Sequence, residues 1–278
     1  MPQPHMLGAY STFMGGVDRM DQNISNYRIP QEDPQLYCYY KMDRPYLRLA
    51  PFKVEIVGRN PLVALFRNVL SNSESELIKE LARPQLLRAR VQNGQTGKSE
   101  AAAYRVSKSA WLKETDAIVI ERINKRSGLM TNLNMETAEQ LQVLNPNNIY
   151  VANYGIGGHY FPHYDFAMKE DVNPFGDLQT GNRIATLLFY MSQVEHGGGT
   201  VFTESKLAIQ PTKNDALFWY NLHRSGDGDL RTKHAACPVL LGVKWISNKW
   251  MHERGQEFTR PCALKPSVNE RFVGDLES

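Results

Sequence analysis

Cysteine is scarce in this chain: Cys38, Cys237 and Cys262 are the only three in 278 residues. Three are too few for a disulfide scaffold, and they are not spaced as a zinc knuckle. Long apolar runs are missing too. Nothing approaches the roughly 18 consecutive apolar residues that span a bilayer, so no membrane association is expected. The opening stretch, Met1 to Met20, has neither the basic start nor the apolar core of a signal peptide. Charge of one sign is also lacking. The 32 basic and 29 acidic residues leave a net charge of +3; no concentrated basic face can be read, and no nucleic-acid partner is expected. Internal repeats and low-complexity tracts are absent. What remains is a chain with 42% hydrophobic residues, long enough to bury one substantial core.

The chain divides by rhythm. Residues 1–35 are polar and punctuated by Gly, Pro and Asn, and they read as a poorly ordered leader. From 36 to 145 the pattern predicts a strand at "PFKVEIVG" and two helices. In "SNSESELIKELARPQLL", Ser73 and Glu76 have capping-box spacing, and Leu77, Ile78 and Leu81 form an apolar stripe. In "KETDAIVIERINKRSGLM", Ile118, Ile120 and Ile123 form the stripe and Gly128 the stop. Between 146 and 265 come short β-rich runs such as "IYVANYG", "RIATLLFYMS", "TVFTES" and "ALFWYNL", separated by turn-rich "EHGGG", "PTKND" and "RSGDGDLRT". That spacing predicts an α+β protein with a β-sandwich or jelly-roll core buttressed by helices. Residues 266–278 are left as a tail.

Chemistry concentrates in "NYGIGGHYFPHYDFA", Asn153 to Ala167. On a strand, His163 and Asp165 share one face, so two metal ligands converge. A third has to come from elsewhere, and His159, His196, His223, His234 and His252 are candidates. His234 stands directly before a strand-like run, where a partner strand can bring it alongside. Two imidazoles and one carboxylate leave three coordination positions open, which suits Fe(II) binding a cosubstrate and dioxygen together. An isolated HxD is usually a chance tripeptide, so its neighbours carry the weight. Lys244 lies inside the apolar run "CPVLLGVKWI". A lysine there either snorkels from a sheet edge or is buried and needs a counter-charge. No local acid supplies one; a bound carboxylate would.

The stretches "HYDFA", "TGNRIATLLFYMS", "GGGTVF", "ALFWYNL" and "HAACPVLLGVKWISNKWMHERGQEF" resemble the catalytic region of the collagen prolyl 4-hydroxylase α subunits. These are Fe(II)- and 2-oxoglutarate-dependent dioxygenases with a double-stranded β-helix fold. The resemblance runs from about Leu36 to Cys262. It implies iron held by His163, Asp165 and His234, with Lys244 paired to the distal carboxylate of 2-oxoglutarate. It also implies Tyr154 and Thr200 lining that pocket, Trp250 helping to close it, and Arg183 near a bound peptide. The activity implied is hydroxylation of peptidyl proline at C4 with release of succinate and carbon dioxide. L-ascorbate would serve as reductant and a proline-rich, collagen-like peptide as substrate. Lysyl hydroxylases share HxD…H but generally clamp the cosubstrate with arginine, so Lys244 favours proline. A protein disulfide isomerase β subunit as partner and the endoplasmic reticulum lumen as location follow from the same resemblance, as does a Cys237–Cys262 disulfide that leaves Cys38 an orphan thiol. Such a bridge sits uneasily with the missing secretory signal.

Two stretches depart from the family pattern. "LNPNNIY", before the first β-rich run, is an extra segment that can shift the strand carrying Tyr154. "FMGGVDRMDQNISNYRI", Phe13 to Ile29, resembles piggyBac-type transposases; Asp18 without partner carboxylates cannot hold two metals for strand transfer. A catalytically impaired peptide-binding module is the alternative to an active enzyme.

Overall fold

A computed structural model of the protein describes residues 36–92, 98–138, 148–171, 180–268 and 270. The transposase-like leader, most of "LNPNNIY" and the end of the tail lie outside the described residues.

Side chains on the long strands alternate between two destinations, as a period of two requires. In Arg183–Tyr190, Ala185, Leu187 and Phe189 enter one core cluster, whereas Leu188 and Tyr190 enter a second. In Ala216–Tyr220, Ala216, Phe218 and Tyr220 oppose Leu217 and Trp219 in the same way. Strands buried on both faces need cover on both sides. The sheet they belong to has nine strands, in the spatial order Cys38–Lys41, Phe52–Arg59, Leu62–Arg67, Ala216–Tyr220, Arg183–Tyr190, Lys244–His252, Ile149–Tyr154, Lys108–Leu112 and Leu87–Arg88. Strands from both sides of residue 145 therefore share one sheet.

Helices α1 (Asn72–Ala82) and α2 (Ile118–Thr131) cover one face. Ile78, Ala82, Val119, Ile120, Ile123 and Met130 pack against it. A second sheet covers the other face, in the order Leu207–Ile209, Thr200–Phe202, His234–Ala236, His159–His163 and Arg105–Val106. Phe202, Leu207 and Ile209 from this small sheet meet Val63, Leu65, Leu217, Trp219 and Ile246 from the large one. The two layers form the jelly-roll core expected from the spacing of the strands. Among the described residues, no helix is long and apolar enough to cross a membrane.

Both helix boundaries differ from the sequence pattern. "SNSESE" contains two overlapping capping boxes, and the first one forms. Ser71 Oγ accepts from Glu74 N–H at 3.2 Å, and the Glu74 carboxylate accepts from Ser71 N–H at 2.8 Å. Arg126 of α2 decides the choice by pairing with Glu74 at 2.8 Å, while Glu76 is drawn outward to Lys79 and Lys213. Gly128 does not stop α2. The helix runs on to Asn132, which adopts the left-handed conformation at φ 57° and is held there by a side-chain bond to Asp43 at 2.7 Å.

Candidate metal and cosubstrate site

In the small sheet, His159–His163 pairs antiparallel with His234–Ala236, and the register sets His163 directly opposite His234. Their ring centroids are 4.3 Å apart. Asp165 is not on the strand as the alternation rule implied: the strand ends at His163 and Asp165 lies in the bend that follows. The bend still delivers the carboxylate. One ligand atom from each of His163, Asp165 and His234 lies within 4.8 Å of the others, and among the described residues these three form the only such cluster. His159, His196, His223 and His252 stand outside it.

Each imidazole is oriented by its own backbone. His163 Nδ1 lies 2.8 Å from the carbonyl of Phe161, and His234 Nδ1 lies 3.0 Å from that of Thr232. A carbonyl can only accept, so both Nδ1 atoms carry the proton and both Nε2 lone pairs are free to ligate. Those Nε2 atoms lie 3.6 and 3.8 Å from the Asp165 carboxylate oxygens. Burial, aided by the neighbouring His234, pushes His163 below the ordinary imidazole range and keeps it neutral. Burial alone would raise Asp165; His234, His163, Arg183 and the Trp250 N–H outweigh it and hold the carboxyl low. Two imidazoles and a carboxylate on one side of a point fit Fe(II).

Lys244 faces Tyr154 across adjacent strands and is 1% exposed. It does not snorkel. Burial lowers its ammonium from 10.5 to about 8, and only the Cys237 thiol acts in the other direction. Its Nζ lies 5.8 and 5.9 Å from the ring centres of Tyr154 and Tyr190. Tyr190 in turn donates its hydroxyl proton to Thr200 Oγ1 at 2.9 Å. The "GGG" turn presses against this group. A Cβ on Gly197, at φ +79°, would sit 2.3 Å from the Pro238 carbonyl, and one on Gly198 would meet the Lys244 stem at 3.5 Å. A buried cation flanked by two tyrosine rings, with no acid acting on it, is a receptor for a carboxylate.

Trp250 meets the carboxylate of the cluster: its indole N–H donates to Asp165 Oδ2 at 3.0 Å. Its ring packs on Tyr150 at 5.3 Å and Trp111 at 6.0 Å. Arg183 lies 4.1 Å over the Trp250 ring and donates to the Asp165 carbonyl at 3.1 Å. Sequence reasoning missed Tyr190, Thr186, Tyr160 and Arg105. Tyr160 stacks on His163 at 3.6 Å, Arg105 lies 4.5 Å over Tyr160, and burial pushes the Tyr160 hydroxyl up to about 12. Thr186, Leu188 and Tyr190 alternate in "RIATLLFY", a signal that becomes readable once the inward face of that strand is known.

The Cys237–Cys262 bridge is not formed. Both are free thiols, Cys237 buried and Cys262 exposed. Cys237 is tied into the small sheet through its N–H to the Gly199 carbonyl at 2.9 Å. The residues on either side of Cys262 are tied to Arg224, whose guanidinium donates to the Pro261 carbonyl at 2.7 Å and whose carbonyl accepts from Ala263 N–H at 2.9 Å. Cys38 is the exposed thiol expected of an orphan.

Residues 149–252 match the 2OG-Fe(II) oxygenase superfamily. Over 267 residues the chain is 62% identical to prolyl 4-hydroxylase subunit alpha-1 of Caenorhabditis elegans, which covers 95% of this chain and 46% of that protein. It is 51% identical over 237 residues to the Homo sapiens subunit alpha-1, covering 84% of this chain and 43% of that one. The chain thus spans less than half the length of these relatives. Among solved structures, the viral collagen prolyl hydroxylase of Paramecium Bursaria Chlorella virus-1, in its 2OG complex, aligns with a TM-score of 0.51. It covers 70% of this chain and 97% of its own at 24% identity, which shows a shared fold.

Proposed function

The chain belongs, through residues 149–252, to the 2OG-Fe(II) oxygenase superfamily, and on that premise we propose that it hydroxylates peptidyl proline at C4 using Fe(II), dioxygen and 2-oxoglutarate. The observation that carries the proposal is Lys244: a fully buried ammonium with no acid acting on it, in the same fold as a His-Asp-His cluster. The names of the relatives support proline as the target.

His163 and His234 would hold the metal through Nε2, and Asp165 would supply the one anionic ligand. Bound Fe(II) supplies activation of dioxygen, with 2-oxoglutarate as the two-electron donor that leaves as succinate and carbon dioxide. Lys244 anchors the distal carboxylate by a charge-assisted bond, strong because the surroundings exclude water. Tyr154 and Thr200, the latter set by Tyr190, offer hydroxyls beside it. Beside Asp165, the packed rings of Trp250, Tyr150 and Trp111 offer an apolar surface suited to a proline ring, with Arg183 over Trp250 suited to the carbonyls of a bound peptide. Ascorbate as reductant, a protein disulfide isomerase partner and residence in the endoplasmic reticulum lumen follow from the same family reading.

The test is succinate release by the whole chain, loaded anaerobically with Fe(II), with and without a (Pro-Pro-Gly)-repeat peptide. Peptide-dependent succinate matched by hydroxyproline is the expected result. Peptide binding with no succinate would instead make the protein an impaired binding module.

A further inference from the structure

We infer that Asn221 and Thr186 are positioning residues that aim Asp165 so that it offers only Oδ1 to a metal; the inference rests on the iron reading above. Thr186 Oγ1 lies 2.8 Å from Asp165 Oδ2, and Asn221 Nδ2 lies 2.9 Å from Thr186 Oγ1. Both residues are 0% exposed, so no water competes for these bonds.

Proton inventory fixes their direction. A carboxylate oxygen accepts, so the single hydroxyl proton of Thr186 goes to Asp165 Oδ2. The hydroxyl oxygen then has to accept from Asn221, which dictates that the amide presents its nitrogen. Trp250 Nε1 donates to the same Oδ2 at 3.0 Å. Two donors occupy the lone pairs of Oδ2, although His234 Nε2 is only 3.8 Å away. Oδ1, 3.6 Å from His163 Nε2, is left for the metal.

The three groups stand on, or directly after, three neighbouring strands. Thr186 is paired in register with Trp219 on one side and with Trp250 on the other. Asn221 follows Ala216–Tyr220 and is pinned at both ends of its backbone. Its N–H donates to the Ile184 carbonyl at 2.9 Å, and its carbonyl accepts from Asp229 N–H at 2.9 Å. Asp165 itself sits in a bend. The rigid sheet therefore orients a ligand that its own segment does not.

Anaerobic titration with Co(II) as the probe tests this, followed by calorimetry and by the visible spectrum of the bound ion. Wild type, Thr186→Val, Thr186→Ser, Asn221→Leu and Asp165→Ala are compared, with melting curves of each metal-free protein. Thr186→Val and Asn221→Leu should weaken Co(II) roughly 10- to 100-fold and alter its spectrum. Thr186→Ser, which keeps the hydroxyl, should restore both. Should Asn221→Leu not fold, the Val and Ser pair at position 186 carries the test. Wild-type affinity and spectrum in Thr186→Val would overturn the positioning role and leave the iron site standing. Equal binding by wild type and Asp165→Ala, or none by wild type, would overturn the iron site and this inference with it.

Discussion

Replacing Lys244 with Met keeps a long, unbranched stem and removes the charge. Burial drops the ammonium from 10.5 to about 8; at about 1.4 kcal/mol per pH unit, holding it charged at pH 7 costs the metal-free fold about 3 kcal/mol. The sign follows from linkage. Between pH 8 and 10.5 the unfolded chain binds the proton and the folded one does not, so wild-type stability rises across that window. Below it the full cost is present. Lys244→Met should therefore be more stable than wild type at pH 7, by up to about 3 kcal/mol, and the advantage should vanish by pH 10.5. Affinity for 2-oxoglutarate should move oppositely. Losing a charge-assisted bond worth about 1.5–3 kcal/mol weakens it roughly ten- to a hundredfold. Urea denaturation of the metal-free proteins at pH 7 and pH 10, beside 2-oxoglutarate titration under nitrogen with Mn(II), measures both. A variant less stable at pH 7 with an unchanged cosubstrate constant would refute the clamp and make Lys244 a structural lysine.

The two histidines of "GGHYFPHYD" should behave differently: His163→Ala should release no succinate, while His159→Ala, whose ring bonds only to the nearby Gly157 carbonyl, should stay near wild type. The reverse pattern would mean that the strand presents the other face. A Cβ on Gly228 would lie 2.1 Å from the Phe166 ring. Gly228→Ala is therefore expected to cost about 1–3 kcal/mol and to weaken metal binding through the adjacent Asp165; an unchanged melting curve would sink that account. Maleimide followed by mass spectrometry should add two labels to the native protein, at Cys38 and Cys262, and a third only after unfolding. Burial pushes the Cys237 thiol up to about 11 and hides it as well. A native protein that labels only at Cys38 would restore the disulfide.

The ligand cluster was legible because its signals are local or chemically incongruous: an HxD two residues apart, and a lysine with no acid in an apolar run. Short β-rich runs at close spacing likewise announced the sheets. What stayed hidden depends on register. Thr186 and Asn221 are ordinary polar residues at strand positions until the pairing of Arg183–Tyr190 with Ala216–Tyr220 brings them together. The start of α1 was ambiguous for a similar reason: Ser71/Glu74 and Ser73/Glu76 are equivalent locally, and a distant Arg126 selects between them. Gly128 looked like a stop, yet Asn132 can take the left-handed position where Asp43 is there to hold it. The cysteine pairing came from the resemblance alone, and the two thiols are free.

The facing of His163 and His234 across one antiparallel ladder makes the cluster a matter of parity. Sliding His234–Ala236 by a single residue would bring Ala235 opposite His163 and turn the imidazole to the far side of the sheet. A two-residue slide would restore the face but carry the ring about 7 Å along the strand, out of reach. The register already shifts once between Tyr160 and His163, so a further gain or loss in either strand would displace the pair, whereas length changes beyond the ladder leave the pairing untouched. For anyone grafting or shuffling this domain, those two short strands are the segments to transfer whole.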